Sequence, residues 1–192
     1  MRNVVLASAS PRRLALRLPL GLDVDVAPAD IDEAVWPAED PVAYVLRLAA
    51  EKGAVVAPRH PQRLVIAADT TVDLDGAILG KPADHVEATA MLRSLSDRDH
   101  IVHTGVSVWI GGVAATGSAS TTVRFADLSD RDIAWYVATG EPFGKAGAYA
   151  IQGAGGALVE SVVGSVSNVV GLPLALVVAL ARTVGIDLLG NP

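Results

Sequence analysis

The sequence predicts an α/β fold with a mixed sheet, and three observations carry that expectation. Short apolar runs alternate with amphipathic stretches through the first half, and two further runs flank Gly111-Gly112 as the arms of a hairpin would. The third is composition: 51% of the 192 residues are hydrophobic, enough for a substantial core. Only 4% are aromatic, so that core is expected to be aliphatic. The length suits one large domain or two small lobes.

Taken in order, Val4–Ala7 reads as a buried strand broken by Ser8-Ala9-Ser10-Pro11. Ser10 is a natural N-cap and Pro11 suits the first turn of a helix through Arg12, Arg13, Leu14, Leu16 and Leu18. Asp40-Pro41 repeats the signal and opens a helix with Val42, Val45, Leu46 and Ala49 on one side, running through Lys52 towards Val56. Leu64–Ala68 is an apolar, partly β-branched run, read as a buried strand whose carboxyl end carries Asp69-Thr70-Thr71. Val72–Gly76 follows as strand and turn, before Gly80-Lys81-Pro82. A helix is expected over Val86–Leu95, a strand over His103–Ile110 and its antiparallel partner over Thr116–Phe125. Ser129 and Asp132 have capping-box spacing and start a helix through Ile133, Tyr136 and Val137 to Gly140. Lys145–Gly156 is too rich in Gly and Ala for a core element throughout. Leu158–Val163 is the last expected strand and Leu174–Val184 a buried C-terminal helix.

Composition excludes several classes of function. Lys+Arg 15 against Asp+Glu 21 leaves a net charge of −6, which lacks the broad basic surface of a nucleic-acid binder. With no cysteine there is no disulfide scaffold, thiolate metal site or cysteine nucleophile. The apolar run after Met1-Arg2 is too short for a secretory signal, and Val159–Leu189 is interrupted by Gly164, Gly171, Pro173, Arg182 and Gly185, so no membrane span is expected. The expected compartment is the cytoplasm.

Chemistry-bearing residues gather in a few places. Ser8 to Arg13 sets two hydroxyls, loop amides and two guanidiniums at a helix start. Guanidinium forks match phosphate oxygens and a helix end adds partial positive charge, so the stretch reads either as a phosphate site or as an ordinary cap with two solvated arginines. Asp69, ending a buried strand, stands where ligands bind in α/β sheets, or else caps the next element. Glu33, Lys52 and Lys81 are residue types usually found at the surface, although Gly80 and Pro82 fix the backbone around Lys81. Glu141–Gly153 gathers glycines around Lys145, Tyr149 and Gln152. Small residues there admit close approach of backbone to a ligand, or of one chain segment to another at Gly147 and Gly153, and a Gln amide can both donate to and accept from a base edge. No Walker A or Gly-x-Ser-x-Gly pattern occurs, and His60, His85, His100 and His103 lack metal-ligand spacing with acids. His60, His85 and His100 are expected in solvent, His103 in a structural role, and Trp36, Trp109 and Trp135 in packing.

Taken together these segments resemble the Maf family, also described as septum-formation inhibitors and as nucleoside triphosphate pyrophosphatases. The resemblance runs through Leu6–Arg13, Ile31-Asp32-Glu33, the Lys52 helix, Ala68–Val72, Ile78–Pro82, His103–Val106, Gly140-Glu141-Pro142, Lys145–Gly153 and Asn168–Pro173, in the family's order across nearly the whole chain. It implies one catalytic domain over residues 1–192, with two lobes around a central cleft in a fold similar to inosine triphosphatases, and a homodimer. It also implies hydrolysis of a nucleoside triphosphate between the α and β phosphates, with a divalent cation, Mg²⁺, Mn²⁺ or Co²⁺. The Asp-Thr-Thr-Val and Ile-Gln-Gly forms resemble the branch acting on dTTP and UTP. On that resemblance Asp69 is the general base or a metal ligand, and Glu33 helps hold the metal. Ser8, Arg12, Arg13, Lys52 and Lys81 bind the triphosphate, while Thr70 and Gln152 sit near the nucleobase, with Arg12 also influencing selectivity. The alternative is a nucleotide-binding regulator of cell division that acts without significant turnover.

Overall fold

The computed structural model describes residues 3–15 and 18–189, so Met1, Arg2 and Leu16 of the expectations above lie outside the described residues. Seven strands, β1 (Asn3–Leu6), β2 (Asp23–Val26), β3 (Leu64–Leu74), β4 (Ala77–Leu79), β5 (Asp99–Ile110), β6 (Val113–Phe125) and β7 (Val159–Val163), form one sheet. Its order is β2-β1-β3-β5-β6-β7, with β4 paired to β3. β1 is parallel to β2 and β3, setting Val5 against Asp25 and Val65, whereas β3–β4 and β6–β7 are antiparallel. Among the described residues six α-helices accompany it: α1 (Pro11–Ala15), α2 (Pro41–Val56), α3 (His85–Leu95), α4 (Asp130–Ala138), α5 (Val166–Val170) and α6 (Leu174–Thr183). The α/β class with a mixed sheet is therefore what the chain adopts. By contact it divides into two compact units: Met1–Asp69, Thr104–Ala119 and Gly171–Pro192 in the first, Thr70–His103 and Ser120–Val170 in the second.

In the first unit α2 carries most of the placement. Asp40 caps it, accepting from the Val42 and Ala43 amides at 2.9 and 3.0 Å, an arrangement that contributes about 1 kcal/mol. Its buried stripe is Val45, Leu48, Ala49, Lys52, Gly53 and Val56, so Val42 and Leu46, expected on that side, lie at its margin. Each buried Val or Leu there contributes about 1.5–3 kcal/mol. Val56 joins Val5, Ala7, Val65 and Ala67 in an aliphatic core, as composition led one to expect. Trp109 lies so close to Gly53 that a Cβ there would come within 2.1 Å of its indole nitrogen. Trp36, by contrast, is 57% exposed and Trp135 50%, so neither is the packing residue expected.

Several elements differ from the reading of the sequence. β3 does not stop at Asp69: it continues to Leu74, because Thr70, Thr71 and Val72 are themselves good strand residues. Of the first helix the described residues show Pro11–Ala15, and Leu18, expected in that helix, falls in a 3-10 turn over Leu18–Leu20. β2 and α5 are elements the sequence did not suggest.

The second unit departs from the aliphatic expectation, because Phe125, Tyr136 and Tyr149 sit at the centre of its core with Leu92, Leu95 and Ile133. His100, expected in solvent, belongs with them: β5 starts at Asp99, and the imidazole is 2% exposed. Its Nε2 lies 2.8 Å from the Tyr149 hydroxyl, and its ring meets Phe125 and Tyr149 edge-on at 5.1 and 5.4 Å. Among the described residues Nδ1 has no hydrogen-bond partner, so a proton added there would be a buried donor without an acceptor. Burial accordingly pushes the His100 pKa down to about 4, against a smaller upward pull from Asp99.

A pH dependence follows. Below pH 6.5 the unfolded chain takes up a proton at His100 that the folded chain refuses, so stability falls as pH drops from about 6.5 towards 4, by up to about 3 kcal/mol. Urea unfolding at pH 7 and 4.5 should show His100→Gln losing about 2 kcal/mol less than the parent chain between those values. Equal losses would place the imidazole in water.

Candidate active site

The site begins where β1 ends. The turn after it buries Ser8, and the Ser10 carbonyl starts α1 by accepting from the Leu14 amide at 3.1 Å. The described residues of α1 make a single turn, so its dipole is a minor feature and its arginines are the major one. Arg13 donates through Nε to the Gly171 carbonyl at 2.7 Å and through Nη1 to Ser8 Oγ at 3.0 Å. Burial lowers the pKa of this guanidinium, Asp69 and Glu33 pull it back up, and neighbouring Arg12 pushes it down. Arg12, Glu33 and Asp69 thus all act on the charge of Arg13 within the first unit.

At its centre is a three-charge arrangement. Lys52 Nζ lies 2.6 Å from Asp69 Oδ1 and 2.6 Å from Glu33 Oε1. The Lys52 and Asp69 side chains are nearly buried, at 7% and 11% exposure, while Glu33 is open to solvent at 41%. An ammonium set into the apolar stripe of a helix is tolerable only if paired, and here two carboxylates pair it. Asp69 retains a second oxygen with which to accept a proton or orient a water.

Glu33 sits on a segment without helix or strand, residues 27–40, and α2 holds that segment down. The Tyr44 hydroxyl donates to the Glu33 carbonyl at 3.0 Å and Arg47 to the Ala34 carbonyl at 3.1 Å. Arg47 also grips Glu39 through two bonds of 2.6 and 2.8 Å and lies 4.0 Å over the Trp36 ring. Burial, with the negative charge of Asp69 and Glu33, pushes the Tyr44 phenol up to about 12, so it stays a donor. The sequence reading missed Tyr44, Arg47 and Gly171. One signal was available for Lys52: positions 45, 48, 49, 52 and 56 form a helical stripe, and a lysine in it is out of place unless it has partners.

The remaining expected residues belong to the second unit. Thr70 follows Asp69 along β3 and is partly buried, whereas Lys81, just beyond β4, and Gln152, in a turn, are exposed. Gly147 settles as a close approach between chain segments, since a Cβ there would meet Val72 at 2.7 Å. His103 is fixed between Ser120 Oγ at 2.7 Å and Asp73 Oδ2 at 3.2 Å, in keeping with the structural role expected.

With this geometry in view, residues 3–184 match a family model described as "Maf-like protein". The chain belongs to the Maf family. A relative from Anaeromyxobacter dehalogenans, named dTTP/UTP pyrophosphatase, is 55% identical over 190 residues, covering 97% of this chain and 96% of the relative. One of the same name from Myxococcus xanthus is 54% identical over 185 residues, covering 96% and 94%. Among solved structures, a HAM1 protein from Coxiella burnetii is similar at TM-score 0.47 and 21% identity, covering 67% of this Maf-family chain and 75% of that one. No helix among the described residues is long and apolar enough to cross a membrane.

Proposed function

We propose that this Maf-family chain hydrolyses dTTP and UTP between the α and β phosphates, giving the monophosphate and pyrophosphate. The observation that carries the proposal is the Glu33–Lys52–Asp69 arrangement beside Arg12 and Arg13, and the names of the relatives support the substrate class. Asp69 accepts a proton from a water as its oxygen bonds to the α-phosphorus. The bond from that phosphorus to the α–β bridging oxygen breaks, and pyrophosphate leaves with the electron pair. Arg12, Arg13 and Lys52 hold phosphate oxygens and balance the charge moving onto the leaving group, with Ser8 and the Gly171 carbonyl keeping Arg13 aimed. Lys81 as a further phosphate ligand, and Thr70 and Gln152 at the nucleobase, follow from the family resemblance.

Glu33 and Asp69 suit a divalent cation. Two carboxylates that reach a single ammonium at 2.6 Å are hard oxygen donors of the number Mg²⁺ takes from protein when substrate phosphates complete its shell. Among the described residues no group of three or more acids and histidines could hold a metal alone, which fits a cation shared with the triphosphate. Such an ion, when bound, supplies positive charge to the phosphates and a more acidic water.

The test is pyrophosphate release from dTTP, UTP and GTP with Mg²⁺. Release is expected from the two pyrimidine nucleotides and should vanish with EDTA. Release from neither overturns the proposal. Gln152→Glu, which can no longer donate to a base, should lower kcat/KM for dTTP and UTP about tenfold and so reorder the three substrates. An unchanged order moves base selection elsewhere.

A further inference from the structure

Glu141 and Tyr136 have no part in the chemistry above, yet they converge on the segment that carries Gln152. Ser129 caps α4, which buries Tyr136 completely. Gly140, at φ 72°, turns the chain beyond the helix so that Glu141 comes back beside that phenol. The Tyr136 hydroxyl donates to Glu141 Oε1 at 2.9 Å and accepts from the Ala150 amide at 3.1 Å. The Glu141 carboxylate also accepts from the Gly155 amide at 2.9 Å and the Ala154 amide at 3.0 Å. Between those anchors Ala150–Gly153 is a tight turn closed by the Gly153 amide on the Ala150 carbonyl at 3.2 Å. At its tip Ile151 packs on the core, while Gln152 faces solvent. One carboxylate–phenol pair therefore fixes both ends of a turn whose exposed residue is Gln152.

Two glycines report independently how close this clamp is. A Cβ on Gly153 would lie 2.0 Å from Glu141 Oε2, and one on Gly155 would lie 2.6 Å from the Tyr136 hydroxyl. The need for small residues at 153 and 155 thus comes from the clamp. Burial alone would raise the Glu141 pKa, but the Gly155 amide, the Tyr136 hydroxyl, the Ala154 amide and the charge of Lys145 outweigh it and hold the carboxyl low. An acceptor on both oxygens is what the two amides require, and a glutamine would turn an NH₂ towards one of them.

We infer that Glu141 and Tyr136 are positioning residues for nucleobase selection, acting by fixing the turn that presents Gln152; this rests on the reading of Gln152 as a base contact. The experiment compares kcat and KM for dTTP and GTP in the full chain and in Glu141→Gln, Tyr136→Phe and Gln152→Ala. Amide hydrogen exchange at Ala150, Ala154 and Gly155 is followed in the same proteins. In Glu141→Gln the three amides should exchange faster and KM for dTTP rise about tenfold, with kcat for dTTP kept within about threefold. The dTTP:GTP ratio of kcat/KM should fall towards that of Gln152→Ala. Tyr136→Phe, which removes only the hydroxyl, should move the ratio in the same direction and serves as the test if Glu141→Gln does not fold. A ratio that shifts in Gln152→Ala but stays put in the clamp variants, despite faster exchange, overturns the inference alone. A ratio unmoved by Gln152→Ala overturns the base-contact reading, and the inference with it.

Discussion

Asp69→Asn is expected to lower the rate of pyrophosphate release from dTTP by about 10²-fold or more while leaving the fold intact. The two halves of that expectation have separate causes. Asparagine keeps the shape of the side chain but accepts no proton at neutral pH, so the water would lose the base proposed for it. The fold survives because Lys52 is held twice: with the Asp69 charge gone, its ammonium still has Glu33 at 2.6 Å. The reverse change would strand a nearly buried carboxylate without its cation, the costly way to break such a pair. Single-turnover rates with dTTP at saturating Mg²⁺, beside urea midpoints for the two proteins, separate chemistry from stability. Near-parental turnover would remove Asp69 from the mechanism, and a collapse of the midpoint would make its role structural.

Parts of this molecule are written locally, and those parts were readable. Asp40-Pro41 caps α2 and Ser129 with Asp132 makes the capping box of α4, because a cap depends on three or four consecutive residues. Asp75-Gly76, with φ of 54° and 86°, closes the β3–β4 hairpin as such a dipeptide should. What depends on distant partners was not readable. Asp23-Val24-Asp25-Val26 pairs as a strand because β1 lies beside it, although aspartates are poor strand residues. His100 follows the polar run Ser96–Asp99, and only the ring cluster of Phe125 and Tyr149 explains its burial. Asp69 was recognised as important but for an incomplete reason. It does not end its strand; it matters because α2 sets Lys52 against it, seventeen residues earlier in the chain. The hold of Tyr44 and Arg47 on Glu33 and Ala34 has no sequence signature at all, since its targets there are backbone carbonyls.

The placement of Lys52 depends in turn on how closely α2 approaches β5, and Gly105→Ala tests that. A Cβ built on Gly105 would stand 2.2 Å from the Val45 carbonyl oxygen and 2.5 Å from its carbon. Both are backbone atoms of a capped helix, so no side-chain rotation relieves the overlap; the helix must move by about an ångström or the strand must bend. Overpacking of a rigid contact costs about 1–3 kcal/mol and more where backbone cannot yield, so a loss of at least about 3 kcal/mol is expected. That is a large fraction of the stability of a domain this size. Any fraction that folds should turn over dTTP slowly, because Lys52 lies two turns beyond Val45 on the helix that has been displaced. Gly80→Ala is the matched control: a Cβ there meets nothing within 4 Å, so its urea midpoint should stay at or slightly above the parental one. If Gly105→Ala unfolds at the parental midpoint as well, α2 does not lie against β5 in this way, and the ion arrangement that depends on that contact loses its support.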